Sequence, residues 1–394
     1  MYENIGRSLG TDYFRIADQL TEEDLDYWRR TRDFVDDEVL PVINDYWERA
    51  ELPWPLIKRL GELGIVGEGI NGHGCPGMSP LAVGLVTMEL NRGDGSIGTF
   101  VGVQAGLAMQ SIDMLGSEEQ KQRWLPGMAR MEKLGAFALT EPLHGSDSVA
   151  LETSARRDGH DWVINGQKKW IGNGTLADVV VLWARDVADG KVKGFLVEKD
   201  SPGYAAKRID GKGSLRAIWQ AEITLTDLRV PESNRLPGAR GFKDAGAVLA
   251  GTRNQVAWAA LGHATAAYDI AAAYTQQRVQ FGKPLVSFQI VQDRLVKMLA
   301  EVCSMQLYCL QLGRLQEQGT LTDTIAAIAK MNNTRRARKI IADARDLLGG
   351  NGILLEYHVM RHMTDIEAIH TYEGTETIQT LIVGRDITGV GAFV

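Results

Sequence analysis

The sequence predicts an α+β protein that is mainly α: an N-terminal helical domain over 1–135, a middle antiparallel β-barrel or sandwich domain over 136–240, and a C-terminal four-helix bundle over 241–394. Three observations predict it. At 394 residues the chain is long for one hydrophobic core, so two or three structural units are expected. Apolar residues recur at helical spacing over 22–135 and again over 245–276, 287–317 and 322–348. Between these regions the period falls to two, in short runs bounded by turn residues.

In order along the chain, "EEDLDYWRRTRDFVDDEVLPVI" reads as a helix that stops near Pro41, because proline lacks the amide donor and clashes with the preceding turn. "WPLIKRLGELG", "PLAVGLVTMELNR" and "SEEQKQRWLPGMARM" continue the pattern, the last opening with Ser117 three residues before Gln120, a capping box. "GINGHGCPGMS" is glycine-rich and reads as loop. "GAFALTE", "SARRDG", "DWVING", "QKKWIGN", "DVVVLWAR", "KGFLVEK" and "AEITLTDLRV" read as short strands, with Asn165-Gly166 as a type I′ hairpin turn. In the last unit Gly349-Gly350 stops the third long helix, and a fourth helix starts after Gly374.

Apolar residues make up 44% and charged residues 24%, as in an ordinary soluble globular protein. A net charge of −7 argues against a nucleic-acid or anionic-membrane surface. Cys75, Cys303 and Cys309 lack metal-ligand spacing and are expected to be reduced thiols. With no signal peptide, no membrane-length apolar run and no peroxisomal C-terminal signal in view, the chain is expected to be cytoplasmic and without stable membrane association. His358 and His362 are four apart, but "HVMRH" lacks the glutamate of a zinc-protease motif, and no metal is expected.

Four stretches have the residue types of a ligand site. "FALTEPLHGSD" (137–147) runs a strand into a turn of small hydroxyl residues, suited to the edge of a flat polar ring, although an ordinary strand exit has the same composition. "KKWIGNG" (168–174) offers a tryptophan suited to stacking on an aromatic ring, or equally to a hairpin core. In "QQRVQFGKPLVSFQIVQDRL" (276–295), Arg278 suits bidentate bonds to a phosphate and Gln280 and Phe281 a purine or ribose; a surface arginine at a helix end reads the same. In "RDLLGGNGILLEYHVMRH" (345–362), Gly349, Gly350 and Gly352 let backbone approach a ligand such as a pyrophosphate, in an order that is not the dinucleotide fingerprint. "TYEGTETIQ" follows, with Glu373 at a helix mouth where a carboxylate is electrostatically favourable in any case. "TRRARK" (334–339) reads as a solvated helix face.

Taken together, in this order and spacing, "FALTEPLHGSD", "RVQFGKPL" and "YEGT" resemble the signatures of the acyl-CoA dehydrogenase superfamily, and the resemblance covers nearly the whole chain. "LLGGNGI" and "EYHVMRH" are similar to its glutaryl-CoA dehydrogenase branch; "GCPGMS", "KKWIGNGTLAD" and "GTRNQVAW" are similar to its plant-type short-chain acyl-CoA oxidases. The resemblance implies FAD as cofactor, an acyl-CoA substrate, and electron-transfer flavoprotein or O2 as acceptor. It also implies a homotetramer or homodimer with each FAD crossing a subunit interface. By the same resemblance Glu373 is the catalytic base, and Phe137, Leu139, Thr140, Trp170, Ile171 and Gly172 surround the flavin ring. Arg278, Phe281, Gln289, Asp346, Leu347, Leu348, Gly349, Gly350, Thr375 and Thr377 are implied along the rest of FAD, and Ser146, Arg253, Tyr372 and Gly374 at the acyl-CoA site.

The implied reaction is α,β-dehydrogenation of a short- or medium-chain acyl thioester to the trans-2-enoyl-CoA. Glu373 takes the α-proton, a hydride leaves the next carbon for flavin N5, and the base's own N–H with a flavin ribityl hydroxyl stabilises the enolate oxygen. Burial in a closed apolar site is expected to raise the Glu373 pKa. The competing readings are a short-chain oxidase making hydrogen peroxide, a decarboxylating glutaryl-CoA dehydrogenase, and a flavin-binding partner protein without turnover. Two departures bear on the choice. Where glutaryl-CoA dehydrogenases carry an arginine for the distal carboxylate and an acid beside it, this chain has Gly98 and Asn91, so a neutral acyl chain and no decarboxylation are expected. Where most dehydrogenases of the family carry a threonine near the flavin, this chain has Gly172, like the oxidases, which is expected to open a path for oxygen.

Overall fold

The computed structural model describes residues 2–393. Met1 and Val394, the outer ends of the first and third predicted units, lie outside the described residues. The N-terminal region is helical, with α1 (Glu22–Phe34), α2 (Ile43–Arg49), α3 (Trp54–Glu62), α4 (Pro80–Gly93), α5 (Gly95–Val101), α6 (Gln110–Leu115) and α7 (Glu118–Ala129). A Thr21/Asp24 capping box starts α1, which runs on as π-helical turns over Val35–Val39 and stops before Pro41. The expected Ser117/Gln120 box starts α7. A π-helical stretch, Gly102–Met109, joins α5 to α6, so residues 95–115 form one largely buried rod. Between 95 and 110 only Thr99, Gly102, Val103, Leu107 and Gln110 stay partly accessible, a single stripe at helical spacing.

The middle region holds β1 (Gly135–Ala138), β2 (Ser154–Asp158), β3 (Asp161–Gly172), β4 (Val179–Asp186), β5 (Val192–Glu198), β6 (Tyr204–Arg208) and β7 (Gln220–Pro231). They form one sheet in the order β1-β4-β2-β3-β7-β6, with β5 also paired to β4. The β2–β3, β3–β7, β4–β5 and β6–β7 pairings are antiparallel as predicted. β1 and β2 instead run parallel to β4, which the long connections through β2 and β3 allow.

Asn165-Gly166 is not a hairpin turn. β3 runs through it, and the pairing with β7 shifts register between Ile164 and Gly166. This bulge has a steric reason for glycine: Gly166 has φ +151, and a Cβ there would come 2.5 Å from Thr153 Oγ1. The β2–β3 turn lies earlier, around Gly159 at φ +65.

The C-terminal region contains α8 (Phe242–Gln277), α9 (Gln289–Glu317), α10 (Asp323–Leu347), α11 (Val359–Thr371) and α12 (Glu376–Thr388), with a small hairpin of β8 (Val279–Gln280) and β9 (Lys283–Pro284). α10 stops before Gly349 at φ +58, as expected. α11 adds a fifth helix among the described residues; it opens on His358 in the left-handed region rather than on a standard cap, so the usual start signal is missing. Arg335, Arg336, Arg338 and Lys339 of the basic run pair with Glu376, Glu301, Glu367 and Asp343, as a solvated helix face does. Residues before α1 lie against this bundle: Leu9 N–H and Thr11 Oγ1 donate to buried Asp269 at 3.1 and 2.8 Å. Among the described residues no helix is long and apolar enough to cross a membrane.

Candidate active site

Between α11 and α12 the chain makes a four-residue connection, Tyr372-Glu373-Gly374-Thr375. Glu373 and Gly374 both take left-handed backbone, φ +54 and +88. Position 374 needs glycine, since a Cβ would come 2.5 Å from Gln379 Nε2. At Glu373 the same conformation is borne by a long side chain, a strain that persists only where the surroundings impose it. Three groups do so. The Lys330 ammonium of α10 donates to the carbonyls of Tyr372 and Gly374. Gln379 Nε2 donates to the carbonyls of Glu373 and Gly374, both at 3.0 Å. Thr375 caps α12 by accepting from the Ile378 N–H at 3.3 Å.

The Glu373 carboxylate accepts from Thr252 Oγ1 of α8 at 3.1 Å. Its surface is partly accessible. Desolvation by the protein atoms crowded around it raises its pKa, while Lys330, Thr252 and Arg253 pull the other way. Burial pushes Lys330 down to about 7, the neighbouring Glu373 charge opposing the shift and Arg253 adding to it. Arg253 has Nε and one terminal nitrogen buried without a hydrogen-bond partner, its carboxylate neighbour Asp323 standing 3.6 Å away. The N–H of Glu373 has no hydrogen-bond acceptor among the described residues.

A second group gathers where β1 leaves the sheet beside β3. The Lys169 N–H donates to Thr140 O at 2.9 Å. Buried Lys168 donates to Leu139 O at 3.0 Å and to Glu141 at 2.8 Å. Glu141 also accepts from the N–H groups of Glu152 and Thr153 at 2.7 and 2.9 Å. Burial opposes the Glu141 charge, but Lys168 and these donors outweigh it and hold its pKa below the usual carboxylate range. Burial pushes Lys168 down to about 8. The pair fixes the end of the strand.

A second bulge in β3, between Lys168 and Ile171, puts Trp170 at φ +63. Its ring turns outward, 55% exposed, while Ile171 enters the core. A wide aromatic face therefore stands beside Thr140. Phe137, Leu139 and Ile171 are core side chains, so they offer a ligand mainly backbone. Gly172 packs on Val103 of the 95–115 rod, where a Cβ would come 2.9 Å from Val103 Cγ2.

The third group lies around the ends of α8 and α10 and the start of α9. Phe281 is 93% exposed, Gln289 and Gly349-Gly350 are exposed, Arg278 donates to the Tyr2 hydroxyl at 3.1 Å, and Asp346 pairs with Arg294 at 2.5 Å. Leu347 is partly exposed, but Leu348, 2% exposed, is a core residue with only backbone to offer. No hydrogen bond or ion pair among the described residues joins this group to Glu373 or to the strand ends. Ser146 and Thr377 are exposed, and no hydrogen bond ties either to Glu373. Sequence reasoning missed Thr252, Lys330 and Gln379. The one signal for Lys330 is a lone cation in the apolar run "TIAAIAKM".

The chain matches the acyl-CoA dehydrogenase N-terminal domain over residues 21–132, the middle domain over 136–228 and the C-terminal domain over 239–388. It belongs to the acyl-CoA dehydrogenase family and is an FAD-dependent oxidoreductase acting on CH–CH groups. The short-chain specific acyl-CoA dehydrogenase of bovine mitochondria is 35% identical over 361 residues, 89% of this chain and 87% of its own. A crystal structure of glutaryl-CoA dehydrogenase from Mycobacterium smegmatis is 42% identical with a TM-score of 0.95, covering 98% of this chain and 100% of that one. A structure of a glutaryl-CoA dehydrogenase from the same organism in complex with FADH2 is 40% identical, TM-score 0.95, covering 98% and 99%.

The residues fit such a cofactor. The free face of Trp170 stands beside a strand end pinned by Lys168 and Glu141. The Gly349-Gly350 turn has no other atom within 4 Å of where a Cβ would stand, which leaves room for close approach of a phosphate.

Proposed function

We propose that the protein dehydrogenates a short- or medium-chain, neutral acyl-CoA to the trans-2-enoyl-CoA, with Glu373 as base and electron-transfer flavoprotein as acceptor. The observation that carries the reading is the Glu373 turn: a strained, partly accessible carboxylate with a raised pKa, held from both sides by Lys330 and Gln379. A base tuned upward toward neutrality takes a proton more effectively than an ordinary carboxylate. The unengaged Glu373 N–H is available to the thioester oxygen as negative charge develops on it. FAD, which Phe137, Leu139, Thr140, Trp170, Ile171 and Gly172 would hold at the ring and Arg278, Phe281, Gln289, Asp346–Gly350, Thr375 and Thr377 along its length, supplies the acceptor for the hydride that leaves the β-carbon. Ser146, Arg253, Tyr372 and Gly374 line the substrate side in this reading. The third group sits on an exposed face with apolar Phe281, Ile290 and Ile353, which supports a homotetramer or homodimer completing each cofactor site. A cytoplasmic location belongs to the same reading.

Position 98 supports a neutral substrate. A Cβ on Gly98 would come 2.2 Å from Asn91 Nδ2, so an uncharged amide fills the space. Arg92 beside it is already held by Asp36 and Glu89. At position 98 the distal charge of a dicarboxylic acyl chain would therefore find no cation. Glutaryl-CoA is expected to release no carbon dioxide under conditions where butyryl-CoA is oxidised; release measured by trapping labelled gas would contradict this.

The second reading, a short-chain acyl-CoA oxidase, rests on Gly172. Val103 occupies the space beside that glycine, which favours the dehydrogenase. Butyryl-CoA added to the holoenzyme in air is expected to bleach the flavin band persistently. Recovery of the band with peroxide would favour the oxidase, and no bleaching with acyl-CoAs from short to medium length would leave only a flavin-binding protein. Val103→Ala, which unplugs the Gly172 side, is expected to speed reoxidation by oxygen about tenfold (2.303RT is ~1.4 kcal/mol).

A further inference from the structure

The loop before α4 carries a buried carboxylate that the reaction does not use. In Gly67-Glu68-Gly69, Glu68 is 7% exposed and left-handed, φ +48, and its carbonyl accepts from the Met78 N–H at 2.9 Å. Gln255 Nε2 of α8 donates to its Oε2 at 2.9 Å. Its other oxygen lies against the 95–115 rod. A Cβ built on Gly106 would stand 3.0 Å from Glu68 Oε1, 3.2 Å from Gln255 Oε1 and 3.2 Å from Thr252 Cγ2. Two acceptor oxygens thus converge beside the residue that hydrogen-bonds Glu373. Burial raises the Glu68 pKa to about 7, with the Gln255 and Gln110 amides pulling the other way, and among the described residues no cation pairs with it. A buried carboxylate without a cation costs stability that an apolar side chain in its place would not.

Thr252 and Gln255 are three apart on α8 and so share a face. Glu373, Thr252, Gln255 and Glu68 accordingly make one wall that meets the rod at Gly106. The wall begins at the base and ends in acceptors. An alkyl tail pushed to that end would meet the Glu68 and Gln255 oxygens and return no hydrogen bond. A hydroxyl or amide N–H there donates to them instead.

We infer that Glu68 and Gln255 determine the specificity of the acyl site, and that the site takes an acyl-CoA whose chain bears a hydrogen-bond donor beyond the two carbons that react. This deepens the Proposed function and rests on its assignment of Glu373. A pocket built to bond a hydroxyl discriminates far more strongly than one that senses a methylene, so a preference of roughly 10²-fold or more is expected.

The test measures kcat/KM of the holoenzyme with butyryl-CoA, hexanoyl-CoA and the 4-, 5- and 6-hydroxyhexanoyl-CoAs, following dye reduction. One hydroxyhexanoyl-CoA should exceed hexanoyl-CoA, and Glu68→Leu should reverse the order. Glu68→Gln, nearly the same shape, keeps part of the preference and guards against a Leu variant that folds poorly. Hexanoyl-CoA preferred over all three hydroxy probes, or an order that Glu68→Leu and Gln255→Leu leave unchanged, overturns the inference alone. No bleaching with any of the five overturns the Glu373 assignment and the inference with it.

Discussion

Glu373→Gln is expected to cut kcat by on the order of 10⁴-fold while FAD content and the flavin spectrum stay as in the parent enzyme. The amide keeps the length and shape of the carboxylate, and its oxygen still accepts from Thr252 Oγ1, which stands 3.1 Å from the carboxylate. The turn is held through backbone carbonyls by Lys330 and Gln379, not through the carboxylate, so it survives the change. What is lost is the basicity that the proposed removal of the α-proton needs. Because burial raises the Glu373 pKa, kcat/KM of the parent enzyme should rise with pH through that raised value, as the base ionises. The residual rate of the variant should lack this limb. The stability linkage has its own sign: a carboxylate with a raised folded pKa contributes fully below its unfolded pKa and loses that contribution as pH rises through the folded one. The Gln variant should therefore hold its Tm better than the parent on going from acid to neutral pH. Turnover within tenfold of the parent would remove Glu373 from the proton transfer.

Local pattern and distant packing divide what was legible in the sequence. α4, α8, α9 and α10 lie within a few residues of their periodic runs because each is long and buries an apolar face. The hairpin signal at Asn165-Gly166 failed for a tertiary reason. β7 pairs along the whole of β3, so the strand continues and a bulge absorbs the extra residue. β6 is short and only half-covered, too weak a pattern to register, and no local signal distinguishes the parallel β1–β4 pairing from an antiparallel one. Within the site, Glu373, Gly374 and Trp170 stood out because their motifs are contiguous. Thr252 and Lys330 did not, since each meets Glu373 only through the packing of α8 and α10 against the α11–α12 turn. In sequence Lys330 reads as one more helix lysine; in the fold it is 1% exposed.

Lys330→Met is expected to be the second most damaging change, and for a different reason. Methionine keeps most of the stem but donates nothing, so the carbonyls of Tyr372 and Gly374 lose the ammonium between them. The Tyr372 carbonyl is then left without a donor, which costs about 1–3 kcal/mol and which calorimetry should register as a lower Tm, whereas the Gly374 carbonyl keeps its bond from Gln379. Without that clamp Glu373 can leave its left-handed conformation at φ +54, and a base displaced by about an ångström loses on the order of 10²-fold in kcat. The pH profile separates this role from simple support of the fold. Lys330 is among the groups that pull the Glu373 pKa down against the larger effect of burial. Removing it should carry the Glu373 pKa higher still, moving the acid limb of kcat/KM to higher pH. A lowered Tm with an unmoved limb would make Lys330 a structural clamp with no part in tuning the base. The two variants thus act on one turn in opposite ways: the Gln variant keeps the geometry and loses the limb, whereas the Met variant keeps the base and shifts it.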